Sequence, residues 1–198
     1  MKKTLLYLIC LFLLTFDVFA SCSDTSNVSE KIISDFLSRI LGQQSIVNGQ
    51  QPILTILDEN LVQQSTVNGQ NPDVFVITSK DGKPCVKGSS ILAITTGVNW
   101  YLNHYAHINI SWSQLTINGI ANYKFPLPEK EERHICSVDY RYYLNYCTFS
   151  YSMSTWTWER WEKEIDWMAL HGINMPLQIV GLDVVWKRLL TEYYNYTS

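Results

Sequence analysis

Apolar and polar positions along this chain alternate at two spacings, one typical of helices and the other typical of strands. Between Val28 and Gly42 the apolar residues recur every three or four positions, which predicts an amphipathic helix packed on a sheet. A second run with this spacing begins after Ser89 or Ser90, either of which can cap a helix, and ends near His104. The first half of the chain is therefore predicted to hold amphipathic helices.

Short runs of β-branched and aromatic residues predict the strands that these helices cover. The candidates are Val74–Thr78, Cys85–Lys87, Ile108–Trp112 and Gln114–Ile117. Lys80–Lys83 is predicted to be a turn, and the prolines and charges between Pro126 and Arg133 predict a linker. Residues 21–128 are therefore predicted to form a small α/β domain, and a second unit is predicted to begin at residue 137.

An internal repeat interrupts the predicted N-terminal domain. Gln43–Gln50 and Gln63–Gln70 differ at a single position, and each copy contains an Asn-Gly dipeptide that favours a tight turn. Two copies do not make a solenoid, because stacked repeats need at least about three units to bury a core. Residues 43–72 are therefore predicted to be an inserted surface loop, with a glutamine-rich binding element as the alternative.

The C-terminal part of the chain predicts a strand, a helix and another strand. Tyr140–Tyr151 is rich in aromatic residues and is predicted to be a strand. The helix after it carries an apolar stripe at Trp158, Trp161, Ile165 and Met168. Gly172 is predicted to end this helix, and the apolar run Ile173–Val180 is predicted to be a buried strand. Elements of this length form a parallel crossover, the unit of α/β barrels and open α/β sheets.

The N-terminus carries the pattern of a targeting signal. Lysines precede an apolar run from Leu5 to Phe16, and small residues up to Ala20 are typical of a cleavage site. Residues 1–20 are therefore predicted to be a secretory signal peptide. The alternative is a retained anchor, although the apolar run is short for a membrane span and Asp17 interrupts it. The mature protein is expected in the secretory pathway, either lysosomal or extracellular.

Cysteines, sequons and charge refine this expectation. The cysteines that remain after such a cleavage are Cys22, Cys85, Cys136 and Cys147. Their even number permits disulfides of undetermined pairing, and their spacing does not match a zinc site, so no metal is expected. N-glycosylation sequons begin at Asn27, Asn109 and Asn195. The net charge of −3, with both signs mixed, gives no signature of nucleic-acid or membrane-surface binding.

The aromatic strand and the helix after it also carry a resemblance to a known family. Tyr142–Ser152 and Trp161–Asn174 closely resemble the α-N-acetylglucosaminidases of glycoside hydrolase family 89. Lys87–Ser90 and the following helix resemble the small N-terminal α/β domain of that family. The resemblance implies that residues 137–198 are the first β/α units of an incomplete (β/α)8 TIM barrel. It also implies removal of terminal α-linked N-acetylglucosamine from glycans such as heparan sulfate, with retention and without a cofactor.

Barrel enzymes place their active sites at the carboxyl ends of the strands, and on the first predicted strand this points to Asn145 and Cys147. By resemblance, these residues line the pocket for the N-acetylglucosamine ring. An amide can donate to and accept from sugar hydroxyls, and a small thiol leaves room for the ring. The alternative is that Asn145 satisfies backbone groups and that Cys147 is packed or disulfide-bonded. Asp183 stands where the family usually carries Gly-Gln-Glu, so it either faces the sugar or caps the next helix.

No catalytic residue is predicted within this chain. A retaining glycosidase needs two carboxylates about 5 Å apart, and the resemblance places both on barrel strands beyond Ser198. The acidic residues Glu159, Glu162, Glu164 and Asp166 crowd one helix, and the pattern predicts that they form a solvated face. His171 is predicted to contact the last carbonyls of that helix. This chain alone is therefore expected to be inactive.

A protein of a different class is the alternative to this enzyme. It would be a secreted, non-catalytic glycan-binding protein in which exposed tryptophans such as Trp156 and Trp158 stack on sugar rings. Neither hypothesis determines the oligomeric state.

Overall fold

Two sheets, with helices packed around them, make up the described part of the chain. The computed structural model describes residues 27–42, 51–63, 72–114, 117, 123–177 and 182–196. In chain order the elements are α1 (27–41), β1 (Leu54–Leu57), α2 (Asn60–Gln63), β2 (Val74–Lys80), β3 (Lys83–Gly88), α3 (Ile91–His104), β4 (Glu132–Ile135), β5 (Tyr142–Tyr143), α4 (Tyr146–Ser150), α5 (Trp158–Leu170), β6 (Met175–Pro176) and α6 (Leu182–Tyr194). None of the described helices combines the length and apolar character that a membrane crossing requires.

A mixed sheet of four strands, in the order β1-β3-β2-β4, forms the centre of the N-terminal layer. β2 and β3 are an antiparallel hairpin, and the turn residues Asp81 and Gly82 have left-handed φ angles of 52° and 72°, as a tight hairpin turn requires. β1 pairs with β3 in parallel, and β4 pairs with β2 antiparallel. The predicted strands at Val74–Thr78 and Cys85–Lys87 and the turn between them are confirmed.

Two sequence predictions about this layer are wrong, and a third, the strand Gln114–Ile117, lies partly outside the described residues. Ile108–Trp112 is not a strand, because Ile108 donates its N–H to the carbonyl of Leu102 at 2.8 Å and the chain folds back onto the end of α3. The predicted linker contains the start of β4, whose His134 ring stacks on Phe75 at 4.8 Å between centroids. Charged residues suit this position, since β4 is an edge strand with solvent beside it.

The segment between the repeat copies is also more regular than the predicted inserted loop. Both copies and Cys22 lie outside the described residues, as does the predicted signal peptide. Between the copies, Ile53 is fully buried and β1 completes the edge of the sheet beside β3. The prediction of a surface loop over residues 43–72 is therefore wrong at Ile53 and β1, because Ile53 enters the core and β1 pairs with β3.

Helices α1 and α3 cover the sheet with their apolar faces. The shared core contains Ile33, Phe36, Leu37, Ile40, Leu41, Ile53, Ile77, Val86, Ile94, Val98, Tyr101, Leu102, Ala106, Ile110 and Leu170. Both helices match their predicted positions, and Ser90 caps α3 by accepting the N–H of Ala93 at 3.0 Å. Leu170 comes from α5, so the C-terminal unit contributes to the same core.

The C-terminal unit is the predicted crossover, but its strands are shorter than predicted and β6 is exposed where a buried strand was predicted. β5 and β6 pair in parallel, and α5 connects them. Gly172 has a left-handed φ of 68° at the end of α5, and His171 Nδ1 lies 2.8 Å from the carbonyl oxygen of Trp167, both as predicted. The strand predicted over Tyr140–Tyr151 is wrong beyond β5, since α4 replaces its second half.

Polar contacts join the C-terminal unit to the N-terminal layer. The Thr95 hydroxyl donates to the carbonyl of Ala169 at 2.8 Å. Arg141, which precedes β5, donates to the Asp73 carboxylate, and Asp73 also accepts the Ser90 hydroxyl at 2.7 Å. The cap of α3 and the start of the barrel-like unit are therefore parts of one hydrogen-bonded network.

Candidate functional site

The carboxyl ends of β5 and β6 lie on one edge of the C-terminal unit. Tyr142 is opposite Met175 and Tyr143 is opposite Pro176, and the N–H of Leu177 donates to the carbonyl of Tyr143 at 3.0 Å. In α/β barrels this edge carries the binding and catalytic groups. A site is therefore expected among the residues that follow β5.

Leu144 turns the chain sharply at this edge. Its φ angle of 76° is left-handed, a conformation that costs a residue other than glycine about 1–3 kcal/mol and that occurs frequently at functional sites. The turn brings Asn145 to the N-cap of α4, where its Oδ1 accepts the N–H groups of Cys147 at 3.0 Å and Thr148 at 3.3 Å. The side-chain oxygen of Asn145 thus satisfies backbone N–H groups, which is the role considered as the alternative for this residue.

Cys147 lies beside Asn145 on the first turn of α4, as an exposed and free thiol. Among the described residues, Cys147 is therefore neither packed nor disulfide-bonded. Cys85 is buried in β3, Cys136 is partly exposed, and both are also free thiols. Cys85 is a packed core residue, and its burial raises the pKa of its thiol.

Asn145 and Cys147 thus lie close together, whereas only the backbone of Asp183 is described. Its backbone belongs to the first turn of α6, and its side chain lies outside the described residues. The contact of all three residues with a sugar stays a prediction.

A buried carboxylate on α5 was missed by the sequence analysis. Glu164 is fully buried, and it accepts the Tyr143 hydroxyl on Oε1 at 2.9 Å and the indole N–H of Trp112 on Oε2 at 2.8 Å. Arg160 Nη2 lies 3.1 Å from Oε2. The predicted solvated face is therefore wrong for Glu164, and also for Asp166, which pairs with Arg39. Both carboxylates tolerate burial because each has a cation and hydrogen-bond donors beside it.

Aromatic rings surround the cation of this cluster. The guanidinium carbon of Arg160 lies 4.5 Å from the ring centroid of Trp112 and 4.0 Å from that of Trp156. A guanidinium over an indole face is the favourable cation–π geometry. The spacing of Arg160 and Glu164 at i and i+4 was the only local signal for this cluster.

The cluster changes the pKa of Tyr143, which lies on β5 beside the candidate site. Burial, together with the hydrogen bond to Glu164, raises the pKa of Tyr143 to about 12. Tyr143 therefore keeps its proton at neutral pH and donates a hydrogen bond, which makes it a structural donor and not a base.

An open apolar groove of about 420 Å³ lies between α5 and the ends of the strands. Its lining comprises Leu144, Phe149, Trp158, Trp161, Ile165, Met168, Pro176 and Leu177. The predicted stripe on α5 does share one face, but that face lines the groove and leaves Trp158 65% and Ile165 45% exposed. The groove has few polar groups to orient a ligand, so it does not resemble a sugar pocket. Within the described ranges, no group of three or more His, Cys, Asp or Glu side chains could hold a metal ion.

Comparison with known proteins agrees with this architecture. The model of the alpha-N-acetylglucosaminidase (NAGLU) N-terminal domain matches residues 32–129, and the model of the TIM-barrel domain of the same family matches residues 141–198. The chain belongs to the alpha-N-acetylglucosaminidase family. Its fold is accordingly the α/β N-terminal domain of this family followed by the first part of the TIM barrel.

Individual relatives are much longer than this chain. Human alpha-N-acetylglucosaminidase is 41% identical over 108 residues, which are 52% of this chain and 14% of the human protein. A family 89 glycoside hydrolase from Clostridium perfringens, solved in complex with 2-acetamido-1,2-dideoxynojirimycin, has a TM-score of 0.70 and 28% identity. The match covers 92% of this chain and 19% of the bacterial one. A variant of that protein, solved with its substrate GlcNAc-alpha-1,4-galactose, has a TM-score of 0.68.

Proposed function

We propose that this chain is the N-terminal portion of a glycoside hydrolase that removes terminal α-linked N-acetylglucosamine from glycans such as heparan sulfate. The main support is the β5-α5-β6 crossover, which follows an α/β layer in the same order as the two domains of the family. The bacterial relative solved with GlcNAc-alpha-1,4-galactose supports the substrate class.

The portion represented by this chain is proposed to lack hydrolytic activity by itself. A retaining mechanism needs two facing carboxylates, and the family resemblance assigns both to later barrel strands. Glu164 and Asp166 are not substitutes for them, because both are buried against cations and neither lines the groove. Their charges are already used in structural pairs.

The enzyme hypothesis is tested by assaying the purified 198-residue chain and a longer product of the same reading frame. We expect release of N-acetylglucosamine from an α-linked aryl glycoside by the longer product only. Release by the 198-residue chain would refute the proposed inactivity, and a stop codon directly after Ser198 would refute the proposal that the chain is part of a longer enzyme.

A secretory route, ending in the lysosome or outside the cell, is part of the proposal. The sequon residues Asn27, Asn109 and Asn195 are all exposed, as an N-glycan requires. Expression in a secreting eukaryotic cell is expected to give a glycosylated product that begins after Ala20. Treatment with an endoglycosidase should then shift its mass, and Asn109→Gln should remove one glycan. An unglycosylated product that keeps residues 1–20 would contradict this route.

The glycan-binding alternative has one observation in its favour. Trp158 is 65% exposed at the first position of α5, where an indole face can stack on a sugar ring. Titration of the chain with N-acetylglucosamine, followed by tryptophan fluorescence, tests it. A response that Trp158→Ala abolishes would favour binding through this residue, and no response in the parent chain would exclude it.

A further inference from the structure

The loop after α3 reaches from the N-terminal layer to the C-terminal unit at Trp112. The Trp112 indole N–H donates to Glu164 at 2.8 Å, and its ring lies 6.1 Å from the ring of Trp156. Arg160 lies between these two rings, within 4.5 Å of each centroid. A residue of the N-terminal layer thus contacts the cluster that adjoins the candidate site.

The same cluster holds both ends of the segment that follows β5, residues 144–157, which we call the β5 loop. Before the loop, the Tyr143 hydroxyl donates to Glu164 at 2.9 Å. At the end of the loop, Trp156 contacts Arg160 and packs on Trp161 with 5.2 Å between ring centroids. Glu164 and Arg160 therefore connect the two ends through side chains of α5.

Inside the β5 loop the hydrogen bonds are mostly local. Asn145 caps α4, the N–H of Met153 donates to Thr148 at 3.0 Å, and the N–H of Trp156 donates to Met153 at 3.2 Å. Among the described side chains of the loop Met153 alone is buried, and Phe149 stacks on Trp161 with 5.9 Å between ring centroids. A segment with few buried contacts opens easily unless its ends are fixed, so the position of the loop depends on the cluster.

We propose that Trp112 is a positioning residue that, through Glu164 and Arg160, fixes the β5 loop and with it Asn145 and Cys147. This inference rests on the proposed function and on the predicted contact of these two residues with N-acetylglucosamine. The N-terminal layer thereby orients the sugar-facing residues of the barrel without touching the sugar. A positioned loop matters because sites must be held within about half an ångström of their working geometry.

Hydrogen exchange of the chain measures this role directly. Trp112→Ala removes the indole N–H donor and one ring of the cation–π contact, both of which hold the cluster together. We expect backbone amides of the β5 loop to exchange about tenfold faster or more, since 1.4 kcal/mol corresponds to a factor of ten. Amides of the β2–β3 hairpin, which Trp112 does not support, should keep their parent rates.

Trp186→Ala is the matched control, because Trp186 is 58% exposed on α6, and this variant should change neither region. Trp112→Phe keeps a ring over Arg160 and loses only the N–H, so its loop should exchange at a rate between those of the parent and the alanine variant. The phenylalanine variant also provides the test if Trp112→Ala does not fold. Unchanged exchange in the β5 loop, or an equal increase in the hairpin, would overturn the proposal.

A sugar titration separates this inference from the proposed function. Amide shifts of Asn145 and Cys147 are recorded by NMR with N-acetylglucosamine added to the parent chain. We expect both signals to move in the parent chain and to move less in Trp112→Ala. If they do not move in the parent while exchange responds to Trp112→Ala, the sugar-facing role fails. Trp112 then still fixes the β5 loop, but the claim that it orients sugar-facing residues is overturned.

Discussion

Arg39 donates two hydrogen bonds to Asp166, one to each carboxylate oxygen at 2.7 Å, although 127 residues separate the two in the chain. Arg39 lies on α1 and Asp166 on α5, so the pair joins the N-terminal layer to the C-terminal unit. The forked geometry is the strong form of an ion pair, and the Asp166 side chain is only 8% exposed. This contact should therefore contribute to stability more than a surface pair does.

Asp166→Asn is expected to lower the free energy of unfolding by about 1–3 kcal/mol, because Arg39 keeps its charge and loses its charged acceptor. Glu192→Gln is the control, since Arg188 and Glu192 pair at 3.2 Å on an exposed face of α6. Its effect should stay below about 0.5 kcal/mol. Urea unfolding followed by tryptophan fluorescence compares the variants, and equal effects would show that the Arg39 pair behaves as a surface contact.

Leu170→Ala should destabilise the N-terminal layer although Leu170 belongs to α5. The side chain is fully buried in the core that α1 and α3 share, so its truncation should cost about 2–5 kcal/mol. Ile165→Ala, on the same helix but 45% exposed, should cost less than about 1 kcal/mol. Calorimetry should show a single transition that Leu170→Ala shifts down. A second transition at an unchanged temperature would mean that the layer folds without α5.

Gly97→Ala tests how closely α3 approaches the sheet. An added Cβ would lie 2.6 Å from Val86 Cγ1 and 3.0 Å from the Phe75 ring. Overpacking of this kind costs about 1–3 kcal/mol, which exceeds the gain of about 1 kcal/mol in helix propensity. The variant should therefore have a lower melting temperature. Gly82→Asn is the control, because nothing lies within 4 Å of its added Cβ and asparagine tolerates a left-handed turn.

The stability of the chain should fall as the pH rises above about 10. Burial and Glu164 raise the pKa of Tyr143 from 10.0 to about 12, so the folded chain keeps a proton that the unfolded chain loses between these values. Unfolding then releases a proton, and the free energy of unfolding decreases with pH in that window. Tyr143→Phe should reduce this slope in urea titrations between about pH 9 and pH 12. Burial also raises the pKa of Tyr105 to about 12, so part of the pH dependence of stability should remain in this variant. An identical slope in Tyr143→Phe would contradict the assignment.

Local signals in the sequence predicted the features that depend on neighbouring residues. The cap at Ser90, the hairpin turn at Asp81 and Gly82 and the helix end at Gly172 each require a residue type at one position. The parallel crossover of β5 and β6 followed from the order and the lengths of the elements.

Features that depend on distant partners were not predictable from periodicity. Glu164 is buried because Trp112 and Tyr143, from other parts of the fold, satisfy its oxygens. The aromatic run after Tyr143 favours a strand by propensity, yet Asn145 accepts two backbone N–H groups and starts α4 instead. Its local hydrogen bonds outweighed a weak preference for extended backbone.

The late position of β4 in the chain has a consequence for biosynthesis. β4 covers the exposed side of β2, and it is the last strand of the N-terminal sheet to leave the ribosome. Leu170, which fills the core beneath that sheet, is made later still. A nascent chain that has reached only α3 therefore holds an unpaired strand edge and an unfilled core, and it must avoid association until α5 has been synthesised.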